Sequence, residues 1–195
     1  NFENYASDAA LQAAWTVALV GGGASADLAT RTTAANALHG QQAMQLIPAA
    51  GSAQLRRAIN NNFFHFPAGG RIRYVVFKAT ASTVNTDIRA RLSNTAGLND
   101  AAGIYREWTF TLGNDVTRDH IIDIYSGGAG YQNGEGFPGP SGTIGTWDPL
   151  VINNFSFRNL ANGITYRFDD IRFYYEYSTL EAIGFGTEIA TDDGA

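Results

Sequence analysis

The sequence predicts an all-β protein, an antiparallel β-sandwich of about nine or ten strands in one domain. Short runs of β-branched and aromatic residues recur at close spacing, and turn-forming residues, among them 22 glycines, separate them. No strand–helix–strand repeat is visible, which disfavours a parallel sheet. The 195 residues are an ordinary length for one such domain, and 45% hydrophobic residues are enough for a core.

Three short strands are predicted in the first fifty residues, at positions 2–5, 15–20 and within 37–47. Ser7 is a typical capping residue for one or two helical turns in the Ala-rich segment that follows it. Glycines end the second strand, and Pro48 ends the third. Residues 52–62 fit a helix or a strand, and the four-residue spacing of Leu55 and Ile59 favours the helix.

The middle of the chain carries clearer strand patterns, at positions 71–79, 86–92, 104–112, 120–125 and 150–157. In the third of these, alternation places Trp108, Phe110 and Leu112 on one face and Tyr105 and Glu107 on the other, so the apolar face is predicted to be buried. A loop at 126–148 contains eight glycines and two prolines. Loops of this length are usually functional or packed against another surface.

Residues 166–177 form the longest β-type run. Alternation puts Asp169 on the same face as Ile171 and Phe173, which is predicted to be buried, and puts Asp170 on the outer face, where Arg172 or another Arg can pair with it. A carboxylate in a core must be ion-paired, hydrogen-bonded or bound to a metal. These possibilities stay open from the residues alone.

The sandwich is assigned to residues 1–177 and a tail to residues 178–195. Apolar residues are scattered among glycines and acids in the tail, which is too apolar for a pure linker. It is therefore predicted to lie against a partner or against its own sandwich, and it is the candidate contact for a homo-oligomer. Because the chain opens without an initiator Met or a signal peptide, it is expected to be a processed product or a fragment.

Charge and residue usage exclude several classes of protein. The net charge is −5, whereas a general nucleic-acid binder needs a basic surface. Local arginines such as Arg56, Arg57, Arg89 and Arg91 are interpreted as solvent-facing strand residues. The absence of Cys excludes disulfides and thiolate metal sites. No apolar run approaches the roughly 20 residues of a membrane span.

Motifs for catalysis are missing, and the protein is predicted not to be an enzyme. The three histidines, at positions 39, 65 and 120, are scattered and form no metalloprotease spacing. No nucleophile elbow and no phosphate-binding loop with its Lys is present. Carboxylates that could pair as a glycosidase acid and base occur, but any sandwich with 18 acids offers such pairs by chance: Glu107, Asp119, Asp123 and Glu135.

Two short segments carry a resemblance to a known family. Asn1-Phe2-Glu3 stands near the N-terminus, ahead of Trp15, and Phe168-Asp169-Asp170-Ile171-Arg172-Phe173 stands near the C-terminus. This pairing resembles the galactose-binding-like jelly-roll superfamily, to which many carbohydrate-binding modules of glycoside hydrolases belong. The resemblance implies a jelly-roll sandwich whose opening and closing strands lie side by side.

The resemblance also implies a structural calcium ion. In the family, the opening acid and the first Asp of the closing pair often bind it, which corresponds to Glu3 and Asp169 here. Calcium takes six to eight oxygen ligands, including carboxylates and backbone carbonyls, and the segment His39-Gly40-Gln41 is a candidate source of the carbonyls. The alternative is that Arg side chains or backbone N–H groups satisfy Asp169 without a metal.

Sugar binding needs aromatic platforms and polar groups held in fixed orientations. The candidate platform residues are Tyr105, Tyr131, Phe137 and Trp147. Trp15 and Trp108 lie in apolar patterns and are assigned to the core instead.

The sequence therefore predicts a non-catalytic, carbohydrate-binding-like module displayed on a larger protein or assembly, either extracellular or on a virion surface. The alternative is a structural virion protein, a phage capsid decoration or tail component, that uses the same sandwich for assembly. Richness in Ala, Gly, Thr and Asn, a single Lys and the apolar tail favour that alternative. The expected partner is a glycan in the first case and neighbouring protein subunits in the second.

Overall fold

A computed structural model describes residues 2, 4–19, 25–49, 52–59, 70–94, 104–114, 118–124, 142–144, 152–177 and 187–191; for residues 70–71, 142–144, 175–177 and 187–191 it describes the backbone alone. Over these residues the chain forms two antiparallel sheets with a shared core, so the predicted β-sandwich is confirmed. The longest helix in these ranges has seven residues, and none is long and apolar enough to cross a membrane.

The described residues contain twelve strands and one α-helix. Three of the strands have three residues or fewer, a length that a sequence pattern does not reveal. The elements are α1 Asp8–Ala14, β1 Trp15–Leu19, β2 Thr30–Arg31, β3 Met44–Leu46, β4 Ala53–Ala58, β5 Gly70–Ala81, β6 Thr86–Ser93, β7 Tyr105–Leu112, β8 Asp119–Asp123, β9 Gly142–Ile144, β10 Asn154–Leu160, β11 Tyr166–Tyr177 and β12 Thr187–Thr191.

Each sheet has an inner strand from the last third of the chain. The first sheet has the order β1-β4-β10-β6-β7-β9, and the second has the order β2-β3-β11-β5-β8, with β12 also paired to β11. β10 and β11 follow each other directly, joined by residues 161–165, yet they lie in different sheets. The turn between them therefore carries the chain from one layer of the sandwich to the other.

Aromatic rings from the two sheets meet in the core. The Phe157 ring of the first sheet stacks on the Phe168 ring of the second, with centroids 4.0 Å apart, and lies 5.0 Å from the Phe77 ring. Nearby, the Phe155 ring meets the Phe173 ring edge-on at 5.9 Å. Burying each such side chain contributes on the order of 1.5–3 kcal/mol, so these contacts bind the two layers together.

In the N-terminal segment, the structure confirms the predicted helix but not the predicted strand. The Ser7 side chain accepts a hydrogen bond from the Ala10 N–H at 3.2 Å, as expected of a helix cap. The strand predicted at 2–5 is wrong for the residues described there, which lie outside the sheets. Phe2 and Tyr5 are buried instead, and the Phe2 ring packs 6.0 Å from the ring of Trp15, itself a core residue as predicted.

The helix favoured over residues 52–62 is also wrong. Residues 53–58 form β4, which pairs with β1 on one side and β10 on the other. Leu55 lies opposite Val17 of β1 and Phe157 of β10. Two neighbouring strands supply the backbone partners that a helix would otherwise supply itself, so pairing decides the conformation.

A bulge changes the predicted faces of β11. Between Asp169 and Arg172, β11 has one residue more than its partner β5, and Asp170 adopts a left-handed conformation with φ of 52°. The alternation therefore shifts by one residue, as a bulge requires. Simple alternation would place Phe168 on the outer face with Asp170, but Phe168 is buried in the core together with Ile171. Asp169 is buried, as predicted.

Part of the tail belongs to the second sheet. β12 pairs antiparallel with β11 at positions 172–175, whereas β3 pairs with β11 at 166–168. Because β5 pairs with β11 at both 166–169 and 172–177, β3 and β12 share the opposite edge of that strand. The backbone of residues 187–191 thus lies against its own sandwich, and a role of the tail in partner contacts stays a prediction.

Candidate functional site

The outer face of the first sheet carries a connected set of polar side chains. We call it the polar face and define it by Gln54 of β4, Arg89 and Arg91 of β6, Tyr105 and Glu107 of β7, and Arg158 of β10. Each of these alternates along its strand with core residues, so it points away from the core. Gln54, Arg91, Glu107 and Arg158 are nevertheless buried.

Glu107 is the centre of this face. One of its carboxylate oxygens, Oε2, accepts hydrogen bonds from Nε and Nη2 of Arg91 at 3.0 and 2.7 Å. The other, Oε1, accepts from Nη1 of Arg89 at 2.9 Å. Arg158 Nη1 approaches Oε2 to 3.8 Å. Charge-assisted bonds of this kind fix both the position and the plane of each guanidinium.

The network continues to the edge of the sheet. Arg158 Nε donates to the Gln54 side-chain oxygen at 3.0 Å, and the Gln54 amide donates to the backbone carbonyl of Leu19 at 2.8 Å. The chain of contacts therefore runs from β1 through β4, β10 and β6 to β7. A buried polar network with satisfied members is rigid, so the polar groups of this face are held in fixed orientations.

Tyr105 is the one predicted platform residue that the structure describes. It lies at the margin of the polar face and is half-buried. The guanidinium carbon of Arg91 lies 3.3 Å from its ring centroid, close enough for a cation–π contact. The structure thus brings Tyr105 together with the Arg91–Glu107 pair. The other three predicted residues, Tyr131, Phe137 and Trp147, lie outside the described residues.

The sequence did not predict the polar face. Arg56, Arg57 and Arg91 were interpreted as solvent-facing, and the structure contradicts this, because all three are buried. Arg57 donates to the Tyr5 hydroxyl at the rim of the core. Arg89 agrees with the interpretation, since half of its side chain is exposed. An Arg at an outward strand position has the same sequence pattern whether it is exposed or buried. Only the pairing of Arg91 with Glu107 on neighbouring strands could have indicated the polar face from the sequence.

Within the part of the chain that the structure describes, the carboxylates that could form a glycosidase acid–base pair do not lie close to one another. Glu107 lies on the outer face of the first sheet, whereas Asp119 and Asp123 lie on the outer face of the second. Asp123 pairs with Arg73 at 2.8 Å and Asp119 with Lys78 at 2.9 Å. The fourth candidate, Glu135, lies outside the described residues. The core separates Glu107 from the other two, so it cannot act with either on one glycosidic bond.

Asp169 lies beside the turn that the sequence singled out. Its Oδ2 accepts a hydrogen bond from the His39 N–H at 2.8 Å, and its Oδ1 accepts from the Asp170 N–H at 2.7 Å. Burial raises the pKa of Asp169 to about 6, and the two hydrogen bonds oppose that shift. The two backbone N–H groups therefore satisfy part of the hydrogen-bonding capacity of the Asp169 carboxylate. Burial still disfavours the charged form of this carboxylate.

The surroundings of Asp169 suit a hard cation in several respects. Each oxygen of a carboxylate can accept more than the one bond observed here. Asp170 brings a second carboxylate, although it pairs with Arg172 at 3.0 Å, as the sequence allowed. Within the described residues no three metal-binding side chains cluster. Glu3, the other predicted ligand, lies outside them.

No protein-family model matches this chain, and no curated protein is similar to it in sequence. Among solved structures, it is similar to TmCBM61, solved in complex with beta-1,4-galactotriose, with 14% identity, a TM-score of 0.48 and coverage of 83% of this chain and 88% of that one.

Two structures of family 11 carbohydrate-binding modules from Clostridium thermocellum are also similar. One belongs to the cellulosomal cellulase Lic26A-Cel5E, with 10% identity, a TM-score of 0.47 and coverage of 86% of this chain and 91% of that one. The other was solved with a beta-1,3-1,4-mixed-linked tetrasaccharide, with 11% identity, a TM-score of 0.45 and coverage of 80% and 86%.

Proposed function

We propose that this protein is a non-catalytic carbohydrate-binding module and that a glycan binds at the polar face. The observation that carries the proposal is the Arg91–Glu107 pair beneath Tyr105. It combines an aromatic ring with donors and acceptors held in fixed orientations, which is the combination that sugar recognition requires.

The buried and the accessible members of the polar face have different roles. Glu107, Arg91 and Arg158 are buried and hold the network in place. Arg89 and Tyr105 are the members that reach solvent, because half of the Arg89 side chain is exposed and Tyr105 is half-buried. A ligand therefore contacts Arg89 through its hydroxyl groups and Tyr105 through an apolar ring face. Preorganised contacts lower the entropic cost of binding.

A matched set of substitutions at Tyr105 tests the proposal. The full chain is screened on a broad glycan array, and the affinity for each glycan that binds is measured by titration calorimetry. For at least one of these glycans, we expect Tyr105→Phe to keep the affinity, because the ring remains, and Tyr105→Ala to weaken it at least tenfold, or by about 1.4 kcal/mol. Arg89→Ala should weaken the same glycans. Full affinity for every glycan in a folded Tyr105→Ala variant, or no binding to any glycan, would refute the proposal.

We also propose that a structural calcium ion is held by Glu3 and Asp169, with carbonyl oxygens from the turn at 39–41. The support is the buried carboxylate of Asp169, whose raised pKa indicates a charge that its two N–H partners stabilise incompletely. A bound cation would favour the charged form. Calcium in this position would tie the turn before β3 to β11 and so stabilise the edge of the second sheet.

Three further predictions accompany this function. Tyr131, Phe137 and Trp147 are predicted to add aromatic contacts to the glycan. Display outside the cell or on a virion surface is the expected setting. The alternative role, assembly of a virion surface through the tail, predicts that the chain oligomerises and that deleting residues 178–195 abolishes this.

A further inference from the structure

The outer face of the second sheet carries a pair of tyrosines. Tyr74 of β5 and Tyr174 of β11 lie directly opposite each other in register. Their chain neighbours Val75 and Phe173 are buried in the core, so both tyrosines point outward. Residues in such positions have Cβ atoms about 5 Å apart, so both side chains belong to one patch of the outer face. Both side chains are half-buried, so each also reaches solvent.

Two apolar residues extend this surface. Val76 follows Tyr74 on the same face of β5, and it lies opposite Ile121 of the edge strand β8. Both side chains are half-buried, although they point away from the core. We call the outward-facing set Tyr74, Val76, Ile121 and Tyr174 the tyrosine face. It presents aromatic and aliphatic groups where a solvent-facing sheet usually carries polar ones.

Three ion pairs frame the tyrosine face. They join Arg73 to Asp123 at 2.8 Å, Lys78 to Asp119 at 2.9 Å and Arg172 to Asp170 at 3.0 Å. These three cations and three carboxylates balance in charge, so the frame gives no strong attraction for a nucleic acid or another polyanion. A neutral ligand suits such a surface better than a charged one.

The frame also orients the aromatic pair. Arg172 Nη1 donates to the Tyr174 hydroxyl at 3.1 Å. The guanidinium of Arg73 lies 5.4 Å from the ring centroid of Tyr74 while it also binds Asp123. Rings and guanidinium groups are thus held together on one surface. Arg73 and Arg172 are partly exposed, whereas Asp123 and Asp170 are buried and hold these guanidinium groups in place.

We propose that the tyrosine face is a second carbohydrate-binding surface, specific for a neutral glycan. Sugar rings stack their apolar faces on Tyr74 and Tyr174, and their hydroxyl groups hydrogen-bond to the guanidinium groups of Arg73 and Arg172. The core of the sandwich separates this face from the polar face, so the two surfaces bind glycans independently. The protein is then bivalent, and binding to a polymer that reaches both surfaces gains from effective concentration.

The test uses the full chain and a panel of neutral hexasaccharides from β-glucan, galactan, xylan and mannan, with an oligogalacturonate as the acidic counterpart. Calorimetry gives the number of sites, and circular dichroism confirms that each variant is folded. We expect a double variant, Tyr74→Ala with Tyr174→Ala, to lose binding of at least one neutral hexasaccharide at least tenfold. The matched variant, Tyr74→Phe with Tyr174→Phe, should keep it, and the oligogalacturonate should bind more weakly than its neutral counterparts.

The Tyr105→Ala variant separates this inference from the function proposed above. If the tyrosine face binds, Tyr105→Ala retains the site that the double tyrosine variant loses. Unchanged binding and stoichiometry in the folded double variant would overturn the second site while leaving the polar face intact. Binding of the neutral panel that survives Tyr105→Ala and disappears in the double variant would support the tyrosine face alone. No binding of any panel member to the wild-type chain would overturn the tyrosine face.

Discussion

Arg91 and Glu107 lie directly opposite each other on β6 and β7 and form a buried ion pair, in which two nitrogens of the guanidinium share one carboxylate oxygen. Both side chains are at most 5% exposed, although they lie on the outer face of their sheet. The Glu107 carboxylate balances the charge of guanidinium groups on two strands, β6 and β10. It therefore fixes the orientation of those groups on the polar face.

Removing Glu107 should therefore cost far more than removing a surface carboxylate. We expect Glu107→Ala to lower the free energy of unfolding by about 3–5 kcal/mol, since Arg91 would keep its buried charge without this partner. Urea denaturation measures the change. Asp87→Ala is the control, because Asp87 is exposed on β6 and its carboxylate accepts a hydrogen bond from the Thr111 hydroxyl; this substitution should cost about 1 kcal/mol or less. Equal costs would contradict a central role for Glu107.

Calcium should stabilise the folded chain. An ion that binds only the folded state at 100 times its Kd adds about 2.7 kcal/mol, so EDTA should lower the Tm at pH 7. Asp169→Ala and Glu3→Ala should each remove the difference between calcium and EDTA. Asp27→Asn, at another partly buried carboxylate, should retain it. An identical Tm of the wild type in calcium and in EDTA would exclude the ion.

His120 should make the protein sensitive to acid. The imidazole packs against the rings of Phe77 and Phe110, at 5.2 and 5.4 Å, and burial lowers its pKa from 6.5 to about 4. The neighbouring Arg118 and Lys78 lower the pKa further, whereas the Ala79 carbonyl and Asp119 oppose the shift. The unfolded chain therefore binds the proton more readily than the folded one.

Because the unfolded chain binds the proton more readily, the folded state loses stability as the pH falls. The stability held by neutral His120 is complete above pH 6.5, falls as the pH drops below 6.5, and is lost by about pH 4. The loss amounts to roughly 3 kcal/mol. Denaturation curves at pH 7 and pH 4 measure it as the difference between the wild type and His120→Phe, which does not titrate at this position. Equal losses in the two proteins would show that His120 does not contribute.

The β5–β6 turn depends on one left-handed residue. Asn85 has a φ of 58° and is exposed. Glycine adopts this conformation without a steric penalty, whereas a β-branched residue is strained there. We expect Asn85→Gly to leave the free energy of unfolding within about 0.5 kcal/mol of wild type and Asn85→Val to lower it by about 1–2 kcal/mol. Thermal melts of the two variants compare these effects, and equal Tm values would argue against a left-handed turn.

The sequence predicted most of the fold because its strands alternate. Trp108, Phe110 and Leu112 are buried as their two-residue period indicates. The pattern failed at Asp170, because a bulge adds a residue that no local period announces. It failed at β4 because Leu55 and Ile59 also have helical spacing, and only the pairing with distant strands selects the extended conformation.

The candidate site was predicted only in part. Tyr105 was recognised as an aromatic residue on an outward strand position, and the structure places it on the polar face. Its neighbours on that face come from strands far apart in the sequence: Gln54 and Arg158 are 104 residues apart yet share a hydrogen bond. No local pattern connects them. Asp169 was predicted to be buried because it alternates with Ile171 and Phe173, and it is buried even though the bulge interrupts that alternation.

The adjacency of β10 and β11 in the chain has a consequence for biosynthesis. On a ribosome, β4 and β6 would emerge long before β10, the strand that separates them in the first sheet, and β5 would likewise wait for β11 in the second. Nascent chains that end before residue 154 would thus lack an inner strand in both layers. Folding should therefore begin only after β10 and β11 have been synthesised. Until then, the unpaired edges of β4, β5 and β6 can bind chaperones or associate wrongly with other chains.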